Sequence, residues 1–318
     1  MSAIPQNSSV SSITGLVPPT ERRPIGLPRL AEMKAHGEPI VMITAYDYPS
    51  AQIVEEAGVD IVLVGDSAAM TALGYDSTVS ISMTEMLTLA AAVRRGLHTP
   101  LLVGDMPFGS YQESDEQAIA NAVRFVKEGG CDAVKLEGAG ATVARVRVIV
   151  GAGIPVMGHV GLTPQTATML GGYRAQGRTA AAAARLLEDA LELQQAGCFA
   201  LVFEAIPAPV TDEILPLLQI PVIGIGAGTS TDGQVLVFHD LLGLYGGHVA
   251  RFAKRYADTR STMLGGVREY AADVRDRSFP APEHTYSIDP EELKELRRGL
   301  KEQGANPNVD SPPARPGR

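Results

Sequence analysis

Cysteine occurs only twice in the 318 residues, at Cys131 and Cys198, which excludes a disulfide framework and suits a reducing cytoplasm. Each follows a glycine at a helix-to-strand junction (GGCDAV, AGCFAL), so both read as small buried hydrophobes rather than a redox pair. No apolar run reaches the roughly 18 residues that a membrane span needs, so no membrane partner is expected. The first residues, MSAIPQNSSVSSITG, lack a basic segment followed by an apolar core, and residues 1–26 are expected to be a disordered tail. Positive charge is scarce, with 27 Lys and Arg against 36 Asp and Glu, for a net charge of -9. That argues against general nucleic-acid binding, which needs a basic face to displace counterions, and the balance leaves room for a divalent cation. No G-x-G-x-x-G follows the first strand, which argues against a dinucleotide fold, and no G-x-S-x-G marks a serine nucleophile.

What the chain does contain is a recurring unit, an apolar β-run ending on a charged or metal-capable side chain. DIVLVGDS ends at Asp66 and Ser67, LLVGDMPF carries Asp105, and AVKLEG carries Lys135 and Glu137. PVMGHVGL carries His159 and ALVFEAIP carries Glu204. The runs lack clean alternation, as expected of parallel strands covered on both faces. Helical stretches lie between most of them. With IVMITAYD before them and PVIGIGAG and GQVLVFHDLLG after them, they predict eight strands over about 250 residues, the size of a (β/α)8 TIM barrel. A doubly wound sheet is the alternative.

LPRLAEMKAHG, ending at Gly37, predicts an N-terminal helix able to close one mouth of that barrel. Pro49 opens the first barrel helix and Gly58 ends it; Thr84 is the expected N-cap of TEMLTLAAAVRRGL. Ser114 and Gln117 fit a capping box. An amphipathic stretch from Ala253 to Asp276 is expected to finish the core of a catalytic domain spanning 27–286. Residues 287–318 read as a C-terminal extension, a charged helix followed by a Pro-rich disordered end.

Asp66 and Asp105 end neighbouring strands, and two carboxylates so placed repel unless a cation or proton lies between them. Each alone could be a strand-end cap, but together and beside Glu137 they point to a site for Mg²⁺ with positions left for water and substrate. Lys135 and Glu137, two apart on one strand, share a face. Glu204 lies across the barrel, and a carboxylate partly withdrawn from water there suits a general base. His159 is a possible auxiliary group that donates to an oxyanion or orients the site. Ser67 can offer its hydroxyl and amide to a substrate carboxylate. His36, His98, His239, His248 and His284 show no ligand spacing.

Taken together, ITAYDYPSA, LVGDSAAM, GYDSTV, DMPFGSY, VKLEG, GHVGLTPQ, GGYRAQGR, VIGIGAG, DGQVLV and PAPEHTY resemble the ketopantoate hydroxymethyltransferase family, in family order over roughly residues 27–286. The resemblance implies a Mg²⁺-dependent (β/α)8 barrel that assembles as a homodecamer of two pentameric rings. It implies hydroxymethyl transfer from the co-substrate 5,10-methylenetetrahydrofolate to 3-methyl-2-oxobutanoate, through a Mg-stabilised enolate, giving 2-dehydropantoate for pantothenate synthesis. By motif, Asp66 and Asp105 match metal ligands that also meet substrate, and Glu137 matches a further acidic group at the metal. Ser67 and Lys135 match substrate contacts, and Glu204 matches the base. Two other readings remain: a Mg²⁺-dependent aldolase, lyase or phosphonomutase acting on another 2-oxo acid, and an assembly scaffold built on the barrel.

Overall fold

The computed structural model describes residues 22–247 and 250–304. Helix α1 (Leu27–His36) comes first and stops at Gly37, whose φ of 67° turns its N–H back onto the Lys34 and Met33 carbonyls. Eight parallel strands then close a barrel: β1 (Ile40–Thr44), β2 (Ile61–Val64), β3 (Leu101–Asp105), β4 (Ala133–Lys135), β5 (Val156–Gly161), β6 (Ala200–Glu204), β7 (Val222–Ile225) and β8 (Gly233–Leu236). Between them lie α2 (Tyr48–Glu56), α3 (Ala68–Thr71), α4 (Met83–Arg95), α5 (Asp115–Lys127), α6 (Ala141–Gly151), α7 (Ala180–Gln195) and α8 (Ala208–Ile214). A short α9 (Phe238–Leu241) follows β8.

The lack of alternation now has its cause. Side chains of a strand point alternately to its two faces, and here both faces are apolar cores. Ile61 and Leu63 of β2 pack inside the barrel with Ile40, Met42, Leu101 and Met157, while Val62 and Val64 pack outward against the helices with Val54, Ala90 and Phe125. Leu30 and Met33 of α1 join the interior cluster, so α1 plugs the amino-terminal mouth as predicted. Both cysteines are free and buried, and burial pushes their thiols up to about 12, as suits core residues.

Several local expectations shift. β1 stops at Thr44, and Asp47 instead caps α2, its side chain accepting from the Ser50 N–H at 2.8 Å. The N-cap of α4 is Ser82, not Thr84: Ser82 and Glu85 close a reciprocal capping box. Ser114 caps α5, but the Gln117 side chain accepts from the Glu113 N–H, so only half of the expected box forms. Pro216 ends α8 at Ile214, and a 3₁₀ turn follows over Leu215–Leu217.

The chain divides into two compact units, the first ending at Arg260 and the second starting at Ser261. The second contains most of α10 (Thr259–Asp276), a 3₁₀ turn (Pro282–His284) and α11 (Pro290–Gly304). The stretch expected to finish the core is helical only from Thr259 and contains no buried residue. The predicted terminal tails lie outside the described residues, apart from 22–26, where the Ile25 N–H bonds the Thr99 carbonyl. Among the described residues no helix is long and apolar enough to cross a membrane.

Candidate active site

All seven predicted site residues line one cavity of about 140 Å³ at the carboxyl ends of the strands. The parallel register brings them together: Asp105 pairs with Lys135 across β3 and β4, and Glu204 ends β6 opposite Gly161 of β5. Gly161 is required there, because at φ 98° a Cβ would collide with the Glu204 carbonyl oxygen. The next residue, Ala205, adopts φ 50°, a conformation that costs an L side chain about 1 kcal/mol or more. That kink is held by two hydrogen bonds, Ala205 N–H to the Ile225 carbonyl and Gln176 N–H to the Ala205 carbonyl.

Charge in this cavity is dense and unequal. Lys135 is 3% exposed, with Nζ 2.7 Å from Asp105 Oδ1 and 3.5 Å from Glu137 Oε1. Burial works against its ammonium, but Asp105, Glu137 and Asp66 outweigh that and raise its proton affinity. His159 lies between two carboxylates, Nδ1 3.5 Å from Glu137 and Nε2 3.3 Å from Glu204. Burial opposes the imidazolium, yet the two flanking carboxylates prevail and push it up to about 9. Glu137 falls below the usual range although burial opposes this, because Lys135, His159 and the Gln165 N–H all favour its anion. Asp66 goes the other way. Burial first, then the negative charges of Asp105 and Glu137, raise its carboxyl well above the ordinary value. Asp105 is also raised by burial, against the pull of Lys135.

Among the described residues that line this cavity, Asp66, Asp105, Glu137, Glu204 and Asp240 are carboxylates and only Lys135 and His159 are cationic groups. Among the described residues no three His, Cys, Asp or Glu side chains form a ready metal cluster. The reason is Lys135, which holds Asp105 and Glu137 together, while His159 occupies the other side of Glu137. Asp66 has no cationic partner among the described residues and Asp105 shares Lys135 with Glu137, and hard oxygen donors carrying excess negative charge fit a divalent cation.

The family model for ketopantoate hydroxymethyltransferase matches residues 24–282. The chain belongs to the ketopantoate hydroxymethyltransferase family. A 3-methyl-2-oxobutanoate hydroxymethyltransferase of Heliobacterium modesticaldum is 52% identical over 272 residues, covering 86% of this chain and 98% of that one. The Arabidopsis thaliana protein named 3-methyl-2-oxobutanoate hydroxymethyltransferase 1, mitochondrial, is 45% identical over 311 residues, covering 96% of this chain and 89% of its own. Among solved structures, phosphoenolpyruvate phosphomutase of Streptomyces platensis subsp. rosaceus superposes with a TM-score of 0.55 at 17% identity, over 88% of this chain and 98% of that one. A phosphonopyruvate hydrolase does so at 0.52 and 13%, over 89% and 99%. These two likenesses concern the barrel fold.

Two residues that the sequence reading left without a role brace the site of this family member. The Gln165 amide donates from Nε2 to Asp66 Oδ2 and to the Met106 carbonyl, both at 3.0 Å, and its Oε1 accepts from the Tyr111 hydroxyl at 2.8 Å. Its backbone N–H donates to Glu137 Oε2 at 3.0 Å. Gln165 therefore ties Asp66, Glu137 and Tyr111 into one buried network. Both residues end matching stretches, GHVGLTPQ and DMPFGSY, which was the available signal. Tyr46 similarly meets Ser67, hydroxyl to hydroxyl, at 2.8 Å.

Proposed function

We propose that this chain catalyses hydroxymethyl transfer from 5,10-methylenetetrahydrofolate to 3-methyl-2-oxobutanoate, giving 2-dehydropantoate and tetrahydrofolate. The observation that carries the reading is the placement of Glu204 and the Asp66–Asp105 pair in one cavity, with Glu204 and Asp105 ending β6 and β3 and Asp66 just past the end of β2. Membership of the family and curated relatives at about half identity support the same substrates.

Asp66 and Asp105 would hold Mg²⁺, with Glu137 as a further acidic group kept back by Lys135 and His159. When bound, the cation supplies Lewis-acid polarisation of the 2-oxo acid carbonyl. Lys135 and Ser67 bind the substrate carboxylate, with the Tyr46 hydroxyl fixing the Ser67 hydroxyl. Glu204 removes the single proton on C3, and His159, 3.3 Å away, holds its carboxylate toward the cavity. The new carbon–carbon bond joins C3 to the methylene carbon, and water supplies the hydroxyl oxygen. The family resemblance further supports a cytoplasmic homodecamer, which light scattering of the purified chain measures directly.

Proton NMR of 3-methyl-2-oxobutanoate in D₂O tests the chemistry, with Mg²⁺ or with EDTA and without folate. Mg²⁺-dependent loss of the C3 proton signal is expected. If no exchange occurs even after methylenetetrahydrofolate is added, the substrate assignment fails.

A further inference from the structure

Helix α11 (Pro290–Gly304) lies past residue 282, where the family match ends. Leu293, Leu296 and Leu300 recur along it at the a, d and a positions of a heptad. They form one apolar stripe, yet Leu296 is 50% exposed and Leu300 58%. A helix of 15 residues is marginal by itself in water, and Gly299 in its interior costs about 1 kcal/mol more. Such a helix draws its stability from what packs on its apolar face.

The charges on α11 fall into two sets. Those turned away from the stripe satisfy one another within the helix. Lys294 Nζ meets Glu291 Oε1 at 2.6 Å, and Arg298 Nη2 meets Glu295 Oε1 at 2.9 Å. Glu292 and Arg297 do not join them. They flank the leucines on opposite edges, Glu292 at a g position and Arg297 at the e position that follows it. Among the described residues neither side chain makes an ion pair.

That placement identifies the occupant. When two copies of one helix run parallel and in register, the g residue of each lies beside the following e residue of the other, and this contact sets orientation and choice of partner. On α11 it brings Glu292 to Arg297 twice, once along each flank, while each leucine meets its own counterpart. An antiparallel pair sets g against g and e against e, so it forfeits both ion pairs. We propose that α11 is a self-pairing element, which docks in parallel on the α11 of a second copy of this chain, buries the leucine stripe between the two and closes a Glu292–Arg297 ion pair on each side. The contact uses no residue of the cavity and stands apart from the function proposed above. It joins chains through their C-terminal units, whatever contacts their barrels make.

Cysteine cross-linking of the full chain tests it. Cys131 and Cys198 are each 3% exposed, so the parent chain is the blank under mild oxidation with diamide. Leu293→Cys and Leu300→Cys each put a thiol where a parallel pair brings it within disulfide reach of its own counterpart. Arg298→Cys puts one on the opposite face as the control. Leu293→Cys and Leu300→Cys should form linked dimers roughly tenfold faster than Arg298→Cys, or more, because pairing holds the two thiols at high effective concentration. Adding Glu292→Arg to Leu300→Cys should slow its linking by about threefold to tenfold, and adding Arg297→Glu as well should restore the rate. The proposal is overturned if Leu293→Cys and Leu300→Cys link no faster than Arg298→Cys, the outcome when another protein or another part of this chain covers the stripe. It is overturned equally if Leu293→Cys links only to Leu300→Cys in a mixture of the two, the mark of an antiparallel pair. Failure of the exchanged charges to restore the rate would remove the ion pairs and with them the argument for a second copy.

Discussion

At its amino-terminal end the barrel buries Leu30, Met33, Ile40, Ile61 and Leu101, an apolar set plugged by a helix. At its carboxyl end the barrel buries Asp66, Asp105, Lys135, Glu137 and His159, each less than 6% exposed. Backbone geometry is shared, so the difference lies in the side chains alone. The first end gains free energy from apolar area removed from water. The second accepts desolvated charge, which carbon packing would replace with equal or greater stability. A fold keeps such an arrangement for what the charges do, and the barrel separates the two tasks along its axis.

The largest expected effect breaks the carboxyl end alone. Glu204→Gln should cut C3 proton exchange by about 10²- to 10⁴-fold, while Mg²⁺ titration stays like that of the parent chain. Exchange near the parent rate would mean that another group is the base. The counterpart at the amino-terminal end is Leu30→Ala. Leu30 is 1% exposed, and truncating it should cost about 2–5 kcal/mol of stability. Exchange per folded molecule should not change, because no part of Leu30 lines the cavity. If denaturant midpoints barely move, α1 does not plug the barrel as its burial indicates.

A smaller effect sharpens the contrast. Gln165 touches no reacting atom in the mechanism above; it positions Asp66 and Glu137. Gln165→Leu should weaken Mg²⁺ or Mn²⁺ binding by roughly 10- to 100-fold, the usual range when a partner of a metal ligand is removed. Calorimetry with the metal alone reads this, and an unchanged isotherm would demote Gln165 to packing. Tyr111→Phe removes only the outer link, so its effect should be the lesser of the two.

Strand ends were legible in the sequence because parallel strands buried on both faces read as unbroken apolar runs, and a charge that ends such a run has few places to go. Asp66, Asp105, Lys135, Glu137, His159 and Glu204 were visible for that reason. Gln165 and Tyr111 were not, since both come from loops whose paths depend on the closed barrel. The capping error at α4 had a local remedy: Ser82 has Glu85 three residues on, the spacing of a reciprocal box, whereas Thr84 has Leu87. Amphipathic periodicity from Ala253 onward suggested core, but periodicity reports a face and not what covers it.

The subtlest test uses pH, because Glu55 at one end and His159 at the other are displaced in opposite directions. At the amino-terminal end the buried Glu55 accepts from the His98 N–H at 2.7 Å, the Thr99 N–H at 3.1 Å and the Thr99 hydroxyl at 2.7 Å. Burial favours its neutral form, yet these bonds prevail and lower it below 4.5. Its contribution to stability is therefore present above 4.5 and lost as pH falls through the lower folded value. At the carboxyl end His159 stands at about 9 in the folded chain against 6.5 ordinarily, so its contribution is complete below 6.5 and lost as pH rises through 9. Urea midpoints measured across pH in EDTA should thus decline on both sides. Glu55→Gln should reduce the acid limb and leave the alkaline one, whereas His159→Gln should reduce the alkaline limb and, because His159 helps to lower Glu137, part of the acid limb as well. If Glu55→Gln also flattened the alkaline limb, the two ends would be electrostatically coupled and the axial separation of stability from chemistry would fail.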